Sequence, residues 1–346
     1  VAGGTYAYGA RFINPLVGFV AGWLFMAAKS ASAATAALAI GLALSLLPGL
    51  AGVGAVPLAI LVVAGVTALV LAGVRRSNAV NALLVGIAIA ALAVFVGGVF
   101  LANKQSLQPA AVPFAPRDFL EACALMFVAY TGYGRIATLG EEVVDPAKSI
   151  PKSMIVTLVV IAVLYVVVGF AVQQAGGGAV VPIAKQLLAG PWATVIGIGA
   201  VVAMLGVLLN LILGLSRVAL AMGRGGDIPG VFAKINAAGT SPVPATLLTA
   251  VIIGGLCLLG DVKTAWSFSA FAVLIYYSLT NAAALKLPKE LRLYPRWISV
   301  LGLLGCLFLA WWVQPVIWAA GLGMIAAGLI WRWLFRRFTN VPSQSV

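Results

Sequence analysis

The chain has 346 residues, 63% of them hydrophobic and 8% charged, with a formal net charge of +13 and no histidine. That balance excludes a soluble domain, and the lack of histidine excludes imidazole acid/base catalysis, histidine ligation of haem and histidine metal sites. Runs of about 20 apolar residues recur between charged or turn-forming clusters, each long enough to cross roughly 30 Å of hydrocarbon as a helix, so the chain reads as an all-α integral membrane protein.

Residues 1–14 are too short and too mixed to span, and suit an interfacial segment with Tyr6 and Tyr8 at headgroup level. The chain opens at Val1 with neither an initiator Met nor a signal peptide, as if inside a longer protein. A first span is expected from Leu16 to Leu47, ending at Pro48 and Gly49, with small residues from Ala27 to Ala37 that permit close helix contact. Lys29 interrupts that stretch, and two readings of it stand. It faces a cavity or a partner as a functional group, or it snorkels, which is strained because its Cα lies roughly 14 Å from the nearest interface.

A second span runs from Val56 to Val74, closed by Arg75 and Arg76, and a third from Val80 to Ala102, closed by Asn103 and Lys104. Pro109, Pro113 and Pro116 mark an external loop leading to the fourth span, around which the chain is organised. This span begins near Asp118 and places Thr131, Gly132, Tyr133, Gly134 and Arg135 in its middle. Two glycines and an arginine at mid-depth imply that the backbone opens there onto a cavity or a substrate. A break near Gly132 and Gly134 exposes carbonyls at one half-helix end and N–H groups at the next. These suit the ammonium and the carboxylate of a zwitterionic amino acid, with Val128, Tyr130 and Tyr133 flanking its side chain. The plainer reading, that the glycines only serve helix contact, is weakened by the adjoining Arg135.

The fifth span is expected from Ile150 to Gln173 with Pro151 in its first turn. A glycine turn at Gly176 to Gly178 follows, then a short amphipathic helix from Ile183 to Leu188. The sixth span, Trp192 to Met222, is long enough to tilt or project into the cytoplasm. After the longest loop, Arg224 to Pro242, come spans at Pro244 to Leu259, Thr264 to Leu285, Trp297 to Val313 and Pro315 to Phe335. Arg332 to Arg337, with Trp331 and Trp333, read as an anchor at the membrane interface.

Fifteen Lys and Arg residues, from Arg11 to Arg337, lie at one set of span ends, against Lys104, Arg117, Lys185 and Lys263 at the other. This asymmetry accounts for the positive charge without nucleic acid and places the C-terminus in the cytoplasm of a multi-pass protein of the cytoplasmic membrane. Glu141, Glu142 and Asp145 close the fourth span on that side and Arg217 and Arg224 the sixth, so an ion pair between them is either an inner gate or a static surface bridge. Cys123, Cys257 and Cys306 sit singly in apolar runs as core residues. No cofactor or metal is expected, and with all eight acids at helix ends or in loops no enzyme is expected either.

The stretch from Tyr130 to Pro151 resembles the sixth helix and following loop of the amino acid–polyamine–organocation (APC) transporters. Gly3 to Tyr8 with Gly18 to Trp23 is similar to the family's entry into its third helix, and Ser216 to Pro229 to the end of its eighth. The resemblance implies a LeuT-like fold of inverted five-helix repeats, the whole chain 1–346 forming one transport domain. The ten spans then correspond to helices three to twelve of an expected twelve, with the first two helices and half of the substrate site missing before Val1. It also implies secondary active transport of amino acids, proton-coupled or exchanging, by alternating access. Val128, Tyr130, Thr131, Gly132 and Gly134 match the substrate-facing stretch. Asn210, Ser267 and Ser269 are polar residues near the cavity. Relatives without sodium coupling place a lysine on the fifth helix; here Val80 to Ala102 has none, and Lys29 on the third is expected to serve instead as proton-coupling or site-filling cation. Arg135 disfavours cationic substrates and points to neutral amino acids. An amine or polyamine exchanger, or a receptor that binds an amino acid on the same scaffold, are the alternatives.

Overall fold

A computed structural model describes residues 5–46, 49–50, 52–73, 78–101, 114–132, 145–188, 191–236, 242–258 and 260–339. Its helices in chain order are α1 (Thr5–Phe12), α2 (Pro15–Ser45), α3 (Ala55–Leu71), α4 (Asn78–Leu101), α5 (Pro116–Phe127) and α6 (Pro146–Gln174). They continue as α7 (Val180–Leu187), α8 (Trp192–Arg224), α9 (Val243–Cys257), α10 (Val262–Leu285), α11 (Arg296–Trp311) and α12 (Pro315–Thr339). Among the described residues there is no strand. Six of these helices, α2, α4, α6, α8, α10 and α12, are long and apolar enough to cross a membrane, and α3, α9 and α11 are shorter apolar helices.

The bundle is built on α2. Asn14 caps it by accepting from the Val17 N–H at 2.8 Å, and Pro15 brings a preset first-turn φ. Alanine, glycine and serine fill the helix from Gly18 to Gly41, and its residues are buried around nearly the whole circumference. A helix without a polar face belongs inside the protein, and small side chains let its neighbours come close. At Gly41 the approach is so tight that a Cβ would collide with the Ala55 carbonyl oxygen of α3. The main core, formed by α2, α3, α8 and α9, contains Phe19, Leu38, Leu208, Ile212 and Ile253. On another side α2 meets α10 through Leu24, Ala28, Ala272, Val273 and Tyr276. The outer helices α4 and α6 leave most of their aliphatic side chains uncovered, as lipid-facing helices do.

Three expectations are corrected. The fifth span starts at Pro146, which takes the first-turn position, so Pro151 lies inside α6; there its missing N–H leaves only the carbonyl one turn back without a partner. Tyr6 does not face outward as an interfacial aromatic would but is 7% exposed within α1. Arg332 is likewise no interface anchor, being 5% exposed on α12; both side chains turn inward to a carboxylate described below.

Candidate functional site

The α-helical part of the fourth span ends at Phe127, and residues 128–132 wind more tightly as a 3₁₀ segment. Thr131 contributes to this change: its hydroxyl donates to the Val128 carbonyl at 2.7 Å, competing with the helical ladder. The break was expected at Gly132 and Gly134; the described residues show α winding giving way to 3₁₀ at Val128, and Gly134 lies outside them. Gly132 is the last described residue of the segment; a Cβ there would meet nothing within 4 Å, so the segment borders open space. Tyr133, Gly134, Arg135, Glu141 and Glu142 lie outside the described residues.

The change of winding leaves backbone carbonyls that need other partners at membrane depth, and two helices, α6 and α10, provide donors. Tyr165 of α6 donates to the Ala129 carbonyl at 3.1 Å. Tyr277 of α10 reaches the Thr131 carbonyl at 3.4 Å, and Trp266 of α10 donates to the Leu125 carbonyl at 3.0 Å. Edge-on ring contacts support the same groups: Tyr130 meets Tyr165 at 5.1 Å, and Phe127 meets Tyr277 at 5.8 Å.

Lys29 completes the arrangement. It is 7% exposed on α2, and its ammonium donates to Thr131 Oγ1 at 2.9 Å. The side chain therefore turns into the bundle and does not snorkel to an interface. One turn along, Ser269 of α10 donates to the Ala28 carbonyl at 2.9 Å and lies 2.7 Å from Ser32 Oγ, locking α10 against the same face of α2. A buried ammonium, a hydroxyl and a set of carbonyls thus converge on one short segment. Such a set offers both donors and acceptors to a small polar solute.

The other expected site residues are placed as follows. Val128 and Thr131 are buried, and Tyr130 is half-buried. Ser267 is buried on α10. Asn210 is half-buried on α8 beside Leu208, Leu211 and Ile212, which belong to the core shared with α2, α3 and α9. Arg217 and Arg224 are exposed on the last turns of α8, with their expected partners Glu141 and Glu142 outside the described residues. Cys257 and Cys306 are buried and Cys123 half-buried, all three as free thiols.

A second polar cluster was not foreseen. Beyond α8, Gly226 adopts a φ of 70°, which reverses the chain and carries Asp227 into the protein at 2% exposure. Its carboxylate accepts from the Tyr6 hydroxyl at 2.9 Å and pairs with Arg332 and Arg336 of α12, each at 3.2 Å. Trp331 Nε1 donates to the Asp227 backbone carbonyl at 3.2 Å, and the Arg332 guanidinium lies over the Phe19 ring at 5.1 Å. Burial, and then the neighbouring Asp227 charge, push the Tyr6 phenol above its usual range, so it remains a donor. The cluster joins α1, α2, the turn after α8 and the end of α12.

A family model described as amino acid permease matches residues 1–334. The chain belongs to the amino acid permease family. An uncharacterized transporter of Mycobacterium tuberculosis is 34% identical over 340 residues, covering 95% of this chain and 76% of that protein. The branched-chain amino acid permease BcaP of Bacillus subtilis is 28% identical over 379 residues, and the methylthioribose transporter of the same organism 26% over 375; each alignment covers 97% of this chain and 80% of the relative. The permease is accordingly an all-α multi-pass membrane transporter of the APC type, and not an enzyme. Its solutes are of the amino acid and organocation kind.

Tyr165, Trp266 and Tyr277 escaped the sequence reading because each meets the fourth span from 36 to 146 residues away. A signal existed for Tyr165, a phenol inside an otherwise aliphatic run from Ile161 to Val168, where a buried hydroxyl needs an acceptor.

Proposed function

We propose that this permease carries a small neutral amino acid across the cytoplasmic membrane, by proton-coupled symport or exchange, as the segment 128–132 is exposed alternately to the two sides. The observation that carries this reading is the 2.9 Å bond from the buried Lys29 ammonium to Thr131, which ties a buried cation to the 3₁₀ segment. In this reading the substrate ammonium takes the place of hydroxyl donors at the carbonyls of the segment. Tyr130 and Tyr133 flank the substrate side chain, and Gly132 and Gly134 allow its close approach. Lys29 is the coupling cation, and Arg135 repels cationic solutes. Glu141 and Glu142 form the inner gate with Arg217 and Arg224. The bundle end that carries most of the basic residues, with the C-terminus, faces the cytoplasm, and the whole chain acts as one transport domain. Two relatives that align over 97% of this chain are named for solutes without net charge, a branched-chain amino acid and methylthioribose, which supports a neutral substrate; the cationic amino acid transporters of Arabidopsis thaliana that are also similar align over only 65–66% of it.

The test is uptake into liposomes under an imposed pH gradient, with labelled leucine competed by valine, lysine, putrescine and methylthioribose. Neutral amino acids are expected to compete and lysine and putrescine are not. Lys29→Met is expected to bring pH-driven uptake to background while the protein stays folded. Undiminished uptake by that variant overturns the role of Lys29, and saturable binding without uptake replaces transport by reception. Methylthioribose displacing leucine more strongly than valine does overturns the substrate class.

A further inference from the structure

Away from the segment 128–132, the first turns of α6 and the connection between α10 and α11 enclose an open cleft of about 440 Å³. Two ammonium groups, Lys148 and Lys152, stand on its α6 wall together with Ile155 and Val156; Leu293 and Tyr294 form the opposite wall. On α6 these residues fall at i, i+4, i+7 and i+8, a single helix face that changes from cationic to aliphatic within two turns. The aliphatic part is not covered by protein: Ile155 is 54% and Val156 53% exposed, and Val159, Val160 and Val163 continue the uncovered surface along the helix. Tyr294, itself 52% exposed, has the apolar body and polar tip suited to headgroup depth.

We propose that this cleft seats an anionic phospholipid. Its phosphate lies between Lys148 and Lys152, and its acyl chain runs down over Ile155, Val156 and Leu293. The charges around the cleft leave both lysines able to bind. Lys148 lies 3.7 Å from Asp145, but the two side chains are 87% and 55% exposed, and such a pair is weak in water. Among the described residues no ion pair reaches Lys152. Arg292 turns back to the Leu287 carbonyl, while Lys286, Lys289 and Glu290 are exposed on the connection and Arg296 at the start of α11. A free anion would use only the cationic rim. The aliphatic walls below it match the chain that a phospholipid carries, and basic recesses between spanning helices hold such headgroups.

The test titrates detergent-solubilised protein with short-chain phosphatidylglycerol, phosphatidylcholine and inorganic phosphate, with native mass spectrometry counting the bound molecules. Phosphatidylglycerol is expected to bind at one site and the other two at least tenfold more weakly. Each lysine near an anionic headgroup is worth roughly fivefold in affinity, so the double substitution Lys148→Gln with Lys152→Gln is expected to weaken phosphatidylglycerol about thirtyfold. Replacing both with arginine is expected to keep binding. Lys185→Gln, on the short helix α7, is expected to change nothing. Equal affinity of the wild type and the double glutamine variant overturns the proposal. Inorganic phosphate binding as tightly as phosphatidylglycerol overturns it in favour of a free-anion site, and phosphatidylcholine doing so overturns the requirement for charge. None of these readouts depends on transport.

Discussion

At mid-bundle the Lys29 ammonium donates to a neutral hydroxyl, and the carbonyls of the segment 128–132 accept from phenols and from Thr131. At the end of the bundle Asp227 is held by two guanidiniums and the Tyr6 phenol. Both clusters are buried and polar, but they differ in what it takes to exchange a partner. A bond between neutral groups contributes only about 0.5–1.5 kcal/mol net, so the carbonyls of the first cluster can trade a phenol or hydroxyl for a ligand, whereas the charged bond from Lys29 to Thr131 is worth about 1.5–3 kcal/mol. Removing one member of a buried ion pair costs about 3–5 kcal/mol, so the second keeps its partners. The permease thus joins an exchangeable polar centre to an end fixed by charge.

The largest effect should follow from Asp227→Ala, which strands Arg332 in the protein and should lower unfolding stability by about 3–5 kcal/mol in a thermal or denaturant unfolding assay in detergent. If this variant is no less stable than one altered at the central segment, the contrast between the clusters fails. Tyr6→Phe removes a hydrogen bond to a charged acceptor and should cost about 1.5–3 kcal/mol in the same assay. Tyr165→Phe removes one between neutral groups and should cost about 0.5–1.5 kcal/mol, with its larger effect on solute affinity. The smallest effect belongs to an exposed reference, Asp261 at the start of α10. Its carboxyl is held below the usual value of 3.8, first by the Thr264 hydroxyl and then by the N–H groups of Thr264 and Lys263. Because its folded value is lowered, its capping contribution is present at neutral pH and disappears as pH falls through that lowered value. Asp261→Asn should flatten a slight acid-side decline in melting temperature and leave the neutral value nearly unchanged, since asparagine also caps.

The helices were legible because each spanning segment is a continuous apolar run, and hydrocarbon thickness sets its length. The change from α to 3₁₀ winding in the fourth span was not placed by the sequence. The glycines pointed to 132 and 134, whereas the change begins at Val128, where a threonine hydroxyl and the tighter winding take over from the α-helical ladder. Tyr6 and Arg332 were misplaced because an aromatic or basic residue near a helix end has the composition of a membrane anchor. Only the fold reveals that Asp227, some 221 and 105 residues away along the chain, lies between them. Lys29 stood out because an ammonium among alanines, roughly 14 Å from the nearest interface, is poorly served by snorkelling; its partner Thr131 is 102 residues distant and was identified only by the fold.

The alanine-rich middle of α2 also determines which residues lose freedom when the bundle forms. Ala27, Ala28, Ala31, Ala33, Ala34, Ala36 and Ala37 have no rotamers to surrender, so the most enclosed helix of the protein is ordered at little side-chain entropy. In that stretch Lys29 is the one long flexible side chain, and immobilising it opposes folding by roughly 1.5–2 kcal/mol. That entropic burden is concentrated at the nitrogen proposed to exchange a proton, so each release of Lys29 from Thr131 would be favoured by regained motion.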